Sequence, residues 1–336
     1  MMRRGTRLAA AIIAAAAAGL GAPGSSAQTF TMKVACNSIG DVQAEWVKLF
    51  AERVEARSGG RIKASAYPGG QLGTTPRVIE GVQFGSIEAY IVPAENFVGL
   101  DQRFQVVGAP GWFDNMQHAK RTVLDQRLRE EYFKLGEPKG LKGVSFVLYG
   151  PISYASRQPI RNVADFRGKK IRVAASKLQE VPLQKLGAST APIPLGEVLP
   201  ALQQGTVDAV RLSINLFNNF KYYDVVKNVT MTEEAVFVSV GVLSRLWFDK
   251  LPKDLQTVLV EEGAKLNAEL TDWSIKSFEG AEEVWTRNKG EIIRFPAEER
   301  ARFLAITSGG AEEVFQERAE VKRMHDRLRE IASTNR

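Results

Sequence analysis

Few residues in this chain have the types and spacing that chemistry requires. Only two histidines occur, His118 in "DNMQHAKRTVLDQRLREEYF" and His325 in "AEVKRMHDRLREIA". Both fall on charged helical patterns with no second metal ligand at useful spacing, and both read as solvated surface residues. The single cysteine, Cys36, closes an apolar strand pattern and reads as a small buried hydrophobe. No CxxC, HExxH, GxSxG, P-loop or GxGxxG motif is found. The stretch "YPGGQLG" (67–73) is glycine-rich but lacks the lysine and hydroxyl of a phosphate cradle. Carboxylates are numerous, yet nothing singles out a pair for glycoside hydrolysis. This pattern argues for binding without turnover, with no cofactor and no metal. One cation stands out, in "RGKKIRVAAS" (167–176). Ile171 and Val173 alternate as in a half-buried strand, so Lys170, Arg172 and Ala174 share the opposite face. From alternation alone, Arg172 is a solvated charge, part of a nucleic-acid patch, or an anchor for an anion.

Charge and targeting narrow that choice. Arg3, Arg4 and Arg7 precede an apolar run from Leu8 to Leu20, and small residues lead to Ala27. This is the layout of a secretory signal peptide spanning 1–27, and the run is too short for a spanning helix. Removing three arginines from a formal charge of +7 leaves +4. So mild an excess does not call for nucleic acid and only weakly favours small anions. One cysteine permits no intramolecular disulfide. The remaining length predicts about two domains with a large core.

The elements that must position Arg172 alternate between strand and helix. Strand patterns at 30–36, 61–67 and 86–92 enclose helical ones at 42–58 and 74–84, an order that implies a mostly parallel sheet covered by helices. The order recurs with strands 170–175, 189–194 and 206–212 and helices 177–186 and 196–204. "VIEGVQFGSIEA" (78–89) lies over "VLPALQQGTVDA" (198–209) without a gap, matching Gly85 to Gly205 and Glu88 to Asp208. Each copy is one helix, a glycine suited to a left-handed cap, and one strand. Beyond residue 250 the pattern predicts a long helix over 253–288, with Gly263 and Gly280 as places for a slight bend. Such a helix is longer than one lobe and is expected to cross both. Residues 297–333 read as charged outer helices.

The run "PIRNVADFRGKKIRVAASKLQEVPLQKLGASTAPIPLGEVLPALQQGTVDAV" (159–210) resembles the signature of the DctP-type solute-binding proteins of TRAP transporters. "YPGGQLG", "RFQVVGAPGWFDNMQHA" (103–119) and "MTEEAVFVSVGVLSRLWFDKLPKDLQ" (231–256) resemble further segments of that family in the same order. The resemblance implies an α/β, two-lobed periplasmic binding protein fold of type II-like architecture. It has two mixed sheets flanked by helices and a long helix spanning both lobes. The first lobe is expected over 28–149, completed by about 238–275, and the second over 150–237, completed by about 276–336. The resemblance also implies a small organic-acid ligand, a pair of small and large membrane permease subunits as partners, and a monomer.

In that family the arginine of the "KIRV" motif salt-bridges the ligand carboxylate; here it is Arg172. A guanidinium offers a planar two-pronged donor that matches a carboxylate. Two departures qualify the likeness. Gly150 and Pro151 stand where many members carry an upstream arginine, and "VDAVRLS" (207–213) replaces "VDGQENP". Arg211 either supplies a compensating positive charge or points away, since neighbours on a strand face opposite ways. Further candidates lie near the carboxyl ends of strands, where open α/β sheets bind ligands. They are Asn37, Glu95, Ser213 and Asn215, with Tyr154 at the lobe crossing and Trp112 as an apolar wall. The rival readings are the binding component of an ATP-driven importer, a ligand-sensing periplasmic receptor, and a secreted α/β enzyme.

Overall fold

The computed structural model describes residues 28–174 and 176–336; the expected signal peptide lies outside the described residues. Eleven strands are found among them: β1 (Phe30–Ala35), β2 (Ile62–Tyr67), β3 (Ala89–Pro93), β4 (Leu141–Pro151), β5 (Ser153–Ser156), β6 (Lys170–Val173), β7 (Ser189–Pro192), β8 (Ala209–Leu212), β9 (Asn228–Met231), β10 (Val236–Ser244) and β11 (Glu291–Arg294). They form two sheets, ordered β2-β1-β3-β10-β4 and β11-β9-β5-β8-β6-β7. Both are mixed. The βαβ units supply the parallel pairs β1/β2, β1/β3, β6/β7 and β6/β8. The returning strands β10 and β5 pair antiparallel with their neighbours.

The chain passes from the first sheet to the second at Ile152 and returns through 232–235. These two crossings are tied together: Ile152 N donates to Ala235 O (3.0 Å) and Glu233 N to Ile152 O (3.3 Å). Glu233 sits at φ 50°, an uncommon conformation for a residue other than glycine. The chain thus joins the lobes by two strand crossings that are tied to each other.

The two lobes repeat a local device. The helices Thr75–Phe84 and Val198–Gln203 run out at Gly85 and Gly205, both left-handed, at φ 77° and 71°. The acid that follows then anchors the neighbouring strand. Glu88 accepts from Lys33 N (2.7 Å) and Asp208 from Lys170 N (2.8 Å). The ungapped match between 78–89 and 198–209 therefore reflects one turn chemistry used twice.

The long helix is shorter than the pattern suggested. It runs over Lys253–Glu279, about 40 Å at 1.5 Å per residue, breaks at Gly280, and a second helix covers Ala281–Arg287. It lies along β4, the edge strand of the first sheet, and satisfies backbone donors that an edge would leave open. Asn267 Oδ1 accepts from Phe146 N (2.8 Å) and Thr271 Oγ1 from Leu148 N (3.3 Å). Its far end reaches the second lobe, where Asn215 Nδ2 donates to Ser277 Oγ (3.0 Å) and Asn218 Nδ2 to Ala281 O (2.8 Å).

Gly263 is not a bend. A Cβ there would lie 2.7 Å from the Val144 carbonyl oxygen, so this glycine lets the helix approach β4. Gly263→Ala is expected to cost about 1–3 kcal/mol through overpacking, read as a lower urea midpoint. An unchanged midpoint would show that the helix can shift without loss.

The outer helices are less solvated than their charges suggested. Ala297–Glu317 buries Phe303 against Phe166 of the second lobe. Ala319–Ser333, assigned by sequence to the second lobe, returns to the first. There the Ala332 carbonyl bonds His118 Nε2 at 2.9 Å. Both histidines are buried, contrary to the solvated reading. His118 Nδ1 accepts from Asp114 N (3.1 Å), and His325 stacks on Phe315 at 4.0 Å. The charged residues around them hid the apolar face on which each histidine sits.

Candidate functional site

A cavity of about 590 Å³ opens between the lobes. Asn37, Glu95, Tyr149 and Phe237 line it from the first lobe, and Arg172, Gln179 and Leu212 from the second. Strand β6 delivers Arg172. Its neighbours Ile171 and Val173 are fully buried in the core, which turns the arginine to the other face. The adjacent charges separate as their positions dictate: Arg167 and Lys170 are exposed, whereas Arg172 is 5% exposed.

The Arg172 guanidinium is oriented by one neutral group. Nε and Nη2 donate to the Ile193 carbonyl at 2.9 and 2.6 Å, fixing the plane of the fork. Among the described residues no carboxylate pairs with it. Burial pulls its pKa down to about 10; Tyr222 opposes this, Arg211 adds to it, and Glu95 opposes it. The group still carries its charge at neutral pH, in a site where an unpaired charge is costly.

The second buried arginine is arranged differently. Arg211 Nε donates to Glu234 Oε1 at 2.8 Å, and both side chains are almost fully buried. The Tyr154 hydroxyl donates to the same carboxylate (2.8 and 3.0 Å), as does Thr232 Oγ1 (3.3 Å). Burial alone would lower the Arg211 pKa, but Glu234, then Tyr154 and Glu95, outweigh it and hold it above the ordinary value. Arg211 does not line the cavity. Its guanidinium lies over the ring of Phe237, 5.6 Å from the centroid, and Phe237 stands on the cavity wall.

The other predicted residues divide in the same way. Asn37 is on the wall, held by Tyr90 Oη (2.5 Å, donated to Oδ1) and by the Gly73 carbonyl (2.9 Å, accepting from Nδ2). Glu95 is on the wall and buried. Its Oε1 has no hydrogen-bond partner and packs on Gly108, where a Cβ would come within 2.4 Å. Tyr154 is committed to Glu234 and does not line the cavity. Ser213 caps the helix Ile214–Asn219 by accepting from Asn215 N, and Asn215 reaches the long helix. Trp112 packs between Phe113 and His325, away from the cavity.

Sequence reasoning missed Gln179, Tyr149, Phe237 and Leu212. Gln179 alone carried a signal, a glutamine three residues after the helix N-cap Ser176. Its Oε1 accepts from Ala174 N at 2.8 Å. Phe237 lies in a strand buried at every position, where periodicity distinguishes nothing.

Glu95 gives a pH-dependent expectation. Burial pushes its carboxyl above the ordinary range, and Arg211, Gln179 and Arg172 pull it partly back. A raised folded pKa means that the native state holds the proton more tightly than the unfolded chain. Stability is therefore lost as pH rises from the ordinary carboxylate pKa through the folded one. Glu95→Gln is expected to raise Tm at about pH 8 and to change it little near pH 4. Equal effects at both would contradict this.

Comparison with known proteins places the chain among binding proteins. The sequence model of the DctP family, bacterial extracellular solute-binding protein family 7, matches residues 35–318. The 2,3-diketo-L-gulonate-binding periplasmic protein YiaO of Escherichia coli K12 is 30% identical over 221 residues, 66% of this chain and 67% of its own. A TRAP periplasmic solute-binding protein from Desulfovibrio salexigens, solved with orotic acid, superposes with a TM-score of 0.87 at 21% identity. That match covers 92% of this chain and 100% of that one. The sugar acid-binding protein DctPAm from Advenella mimigardefordensis, solved with galactonate, gives a TM-score of 0.87 at 24% identity, covering 92% and 99%.

Proposed function

Because the chain belongs to the bacterial extracellular solute-binding proteins of family 7 and is a TRAP-type solute-binding protein, we propose that it captures an organic acid between its lobes with Arg172 as the carboxylate anchor. One observation carries this reading. Of the two buried arginines among the described residues, Arg211 is answered by Glu234, while Arg172 lines the cavity with only a carbonyl for a partner. An incoming carboxylate supplies the missing charge and accepts charge-assisted hydrogen bonds from the fork. Closure of the lobes about the crossings at 152 and 232–235 excludes water and strengthens that pair.

The closed, loaded form is then what a pair of membrane permease subunits recognises, and the protein releases its ligand chemically unchanged. The signal-peptide pattern at 1–27 supports export to the periplasm, and the protein acts there as a monomer. The names of the compared proteins add support, since diketogulonate, orotic acid and galactonate are all acids. A thermal-shift screen across organic acids tests the proposal. A ligand at 100 times its Kd stabilises the native state by about 2.7 kcal/mol and raises Tm. A shift given only by neutral sugars or peptides, and kept by Arg172→Ala, contradicts it.

A further inference from the structure

We infer that the ligand is a monocarboxylic acid with an apolar body, aryl or alkyl, and not a polyhydroxylated or dibasic acid; this rests on the reading of Arg172 as the carboxylate anchor. Three features of the cavity carry it.

The first is the count of available cations. Arg172 is the only lysine or arginine among the described residues that line the cavity. The nearest other buried cation, Arg211, stands behind Phe237 and is paired with Glu234. A second carboxylate on the ligand would therefore be buried without a partner, which is strongly unfavourable.

The second feature is how the polar wall is already employed. Gln43 Nε2 donates to Ser239 Oγ (3.1 Å), and the Tyr149 hydroxyl donates to Asp41 (2.8 Å). Asn96 Nδ2 donates to the Pro93 carbonyl (3.0 Å) and Gln102 Nε2 to the Val98 carbonyl (3.1 Å). Asn37 is held at both ends of its amide. These side chains brace the protein's own frame; among the described residues the buried cavity atoms left without a partner are Gln179 Nε2 and Glu95 Oε1, so a ring of ligand hydroxyls would find two free groups and not a full shell. Of the two carboxylates on the wall, Glu80 is solvent-exposed and Glu95 is buried.

The third feature is the rest of the surface. Ile79 and Val92 face the cavity from the first lobe, and Leu195, Leu212 and Leu216 from the second, with Phe237 beneath. Such a wall desolvates apolar groups well and hydroxyls poorly. The volume, about 590 Å³, exceeds what a two-carbon acid fills and lies within the usual range for small-molecule sites.

Isothermal titration calorimetry on the exported protein tests the inference with butanoate, hexanoate, phenylacetate, gluconate and succinate. Each buried methylene is expected to tighten Kd about fourfold, the equivalent of about 0.8 kcal/mol. Hexanoate should then bind about fifteenfold tighter than butanoate, and both hexanoate and phenylacetate tighter than gluconate or succinate. Leu212→Asn is expected to weaken phenylacetate about tenfold and narrow its lead over gluconate. Leu195→Asn, at a partly exposed position, gives the same reading if Leu212→Asn fails to fold.

If gluconate or succinate binds tighter than the apolar acids and Arg172→Ala removes all binding, the inference falls while the anchor reading stands. If hexanamide binds as well as hexanoate and Arg172→Ala changes nothing, the anchor reading falls and the inference with it. Absence of binding heat for every acid at millimolar concentration also overturns the inference.

Discussion

Arg172→Ala is expected to weaken organic-acid binding by roughly 30-fold to several thousand-fold, the range for truncating one partner of a buried charge pair, about 2–5 kcal/mol. The same substitution should leave the Tm of the free protein unchanged or raised, because it removes a buried charge with no carboxylate beside it. Loss of binding together with retained stability separates an anchor from a structural arginine. Arg172→Lys should fall between the two, since an ammonium keeps the charge but cannot span the Ile193 carbonyl and a carboxylate with one planar fork. Calorimetry and melting curves on the three proteins check this. A large fall in Tm with Arg172→Ala would mean that the arginine serves the fold.

Glu234→Ala should behave in the opposite sense and lower stability by about 3–5 kcal/mol, the cost of leaving a buried charge unpaired. Arg211 would lose its only ion-pair partner among the described residues while remaining 2% exposed. Its Nη1 already lacks a hydrogen-bond partner. The Tyr154 and Thr232 hydroxyls would lose their acceptor as well. Arg211→Met combined with Glu234→Leu should recover most of the loss, since buried ion pairs replaced by apolar groups are often neutral or better. Urea unfolding of the double-mutant cycle measures the coupling directly. An additive cycle, or a Glu234→Ala protein as stable as the parent, would contradict the pairing.

These contrasts show which parts of the site could be read from sequence. The alternation in "KIRV" was enough to turn Arg172 away from Ile171 and Val173, because strand periodicity is local. The caps at Gly85 and Gly205, and the acids after them, were also legible, because turn chemistry is written in a few consecutive residues. The neutralisation of Arg211 was not. Glu234 lies 23 residues downstream in the segment that crosses between sheets, and no local pattern joins the two.

The outlying aromatic candidates lie away from the cavity for a similar reason. Trp112 meets His325 only because the last helix returns across the first lobe. Gly263 and Gly280 look alike in sequence, yet one admits β4 at close range and the other breaks the helix. What surrounds a glycine decided between them. The apolar wall was hidden too, since Phe237 and Leu212 come from fully buried strands where every position reads as core.

The most direct test of the central claim is a crystal structure of the protein with the tightest acid from the screen. A carboxylate seated against the Arg172 guanidinium, with N···O distances of about 2.7–2.9 Å, is the expected result. The Arg211–Glu234 pair should be intact behind it. A bound acid whose carboxylate lies elsewhere in the cavity, with Arg172 still joined only to the Ile193 carbonyl, would contradict the account.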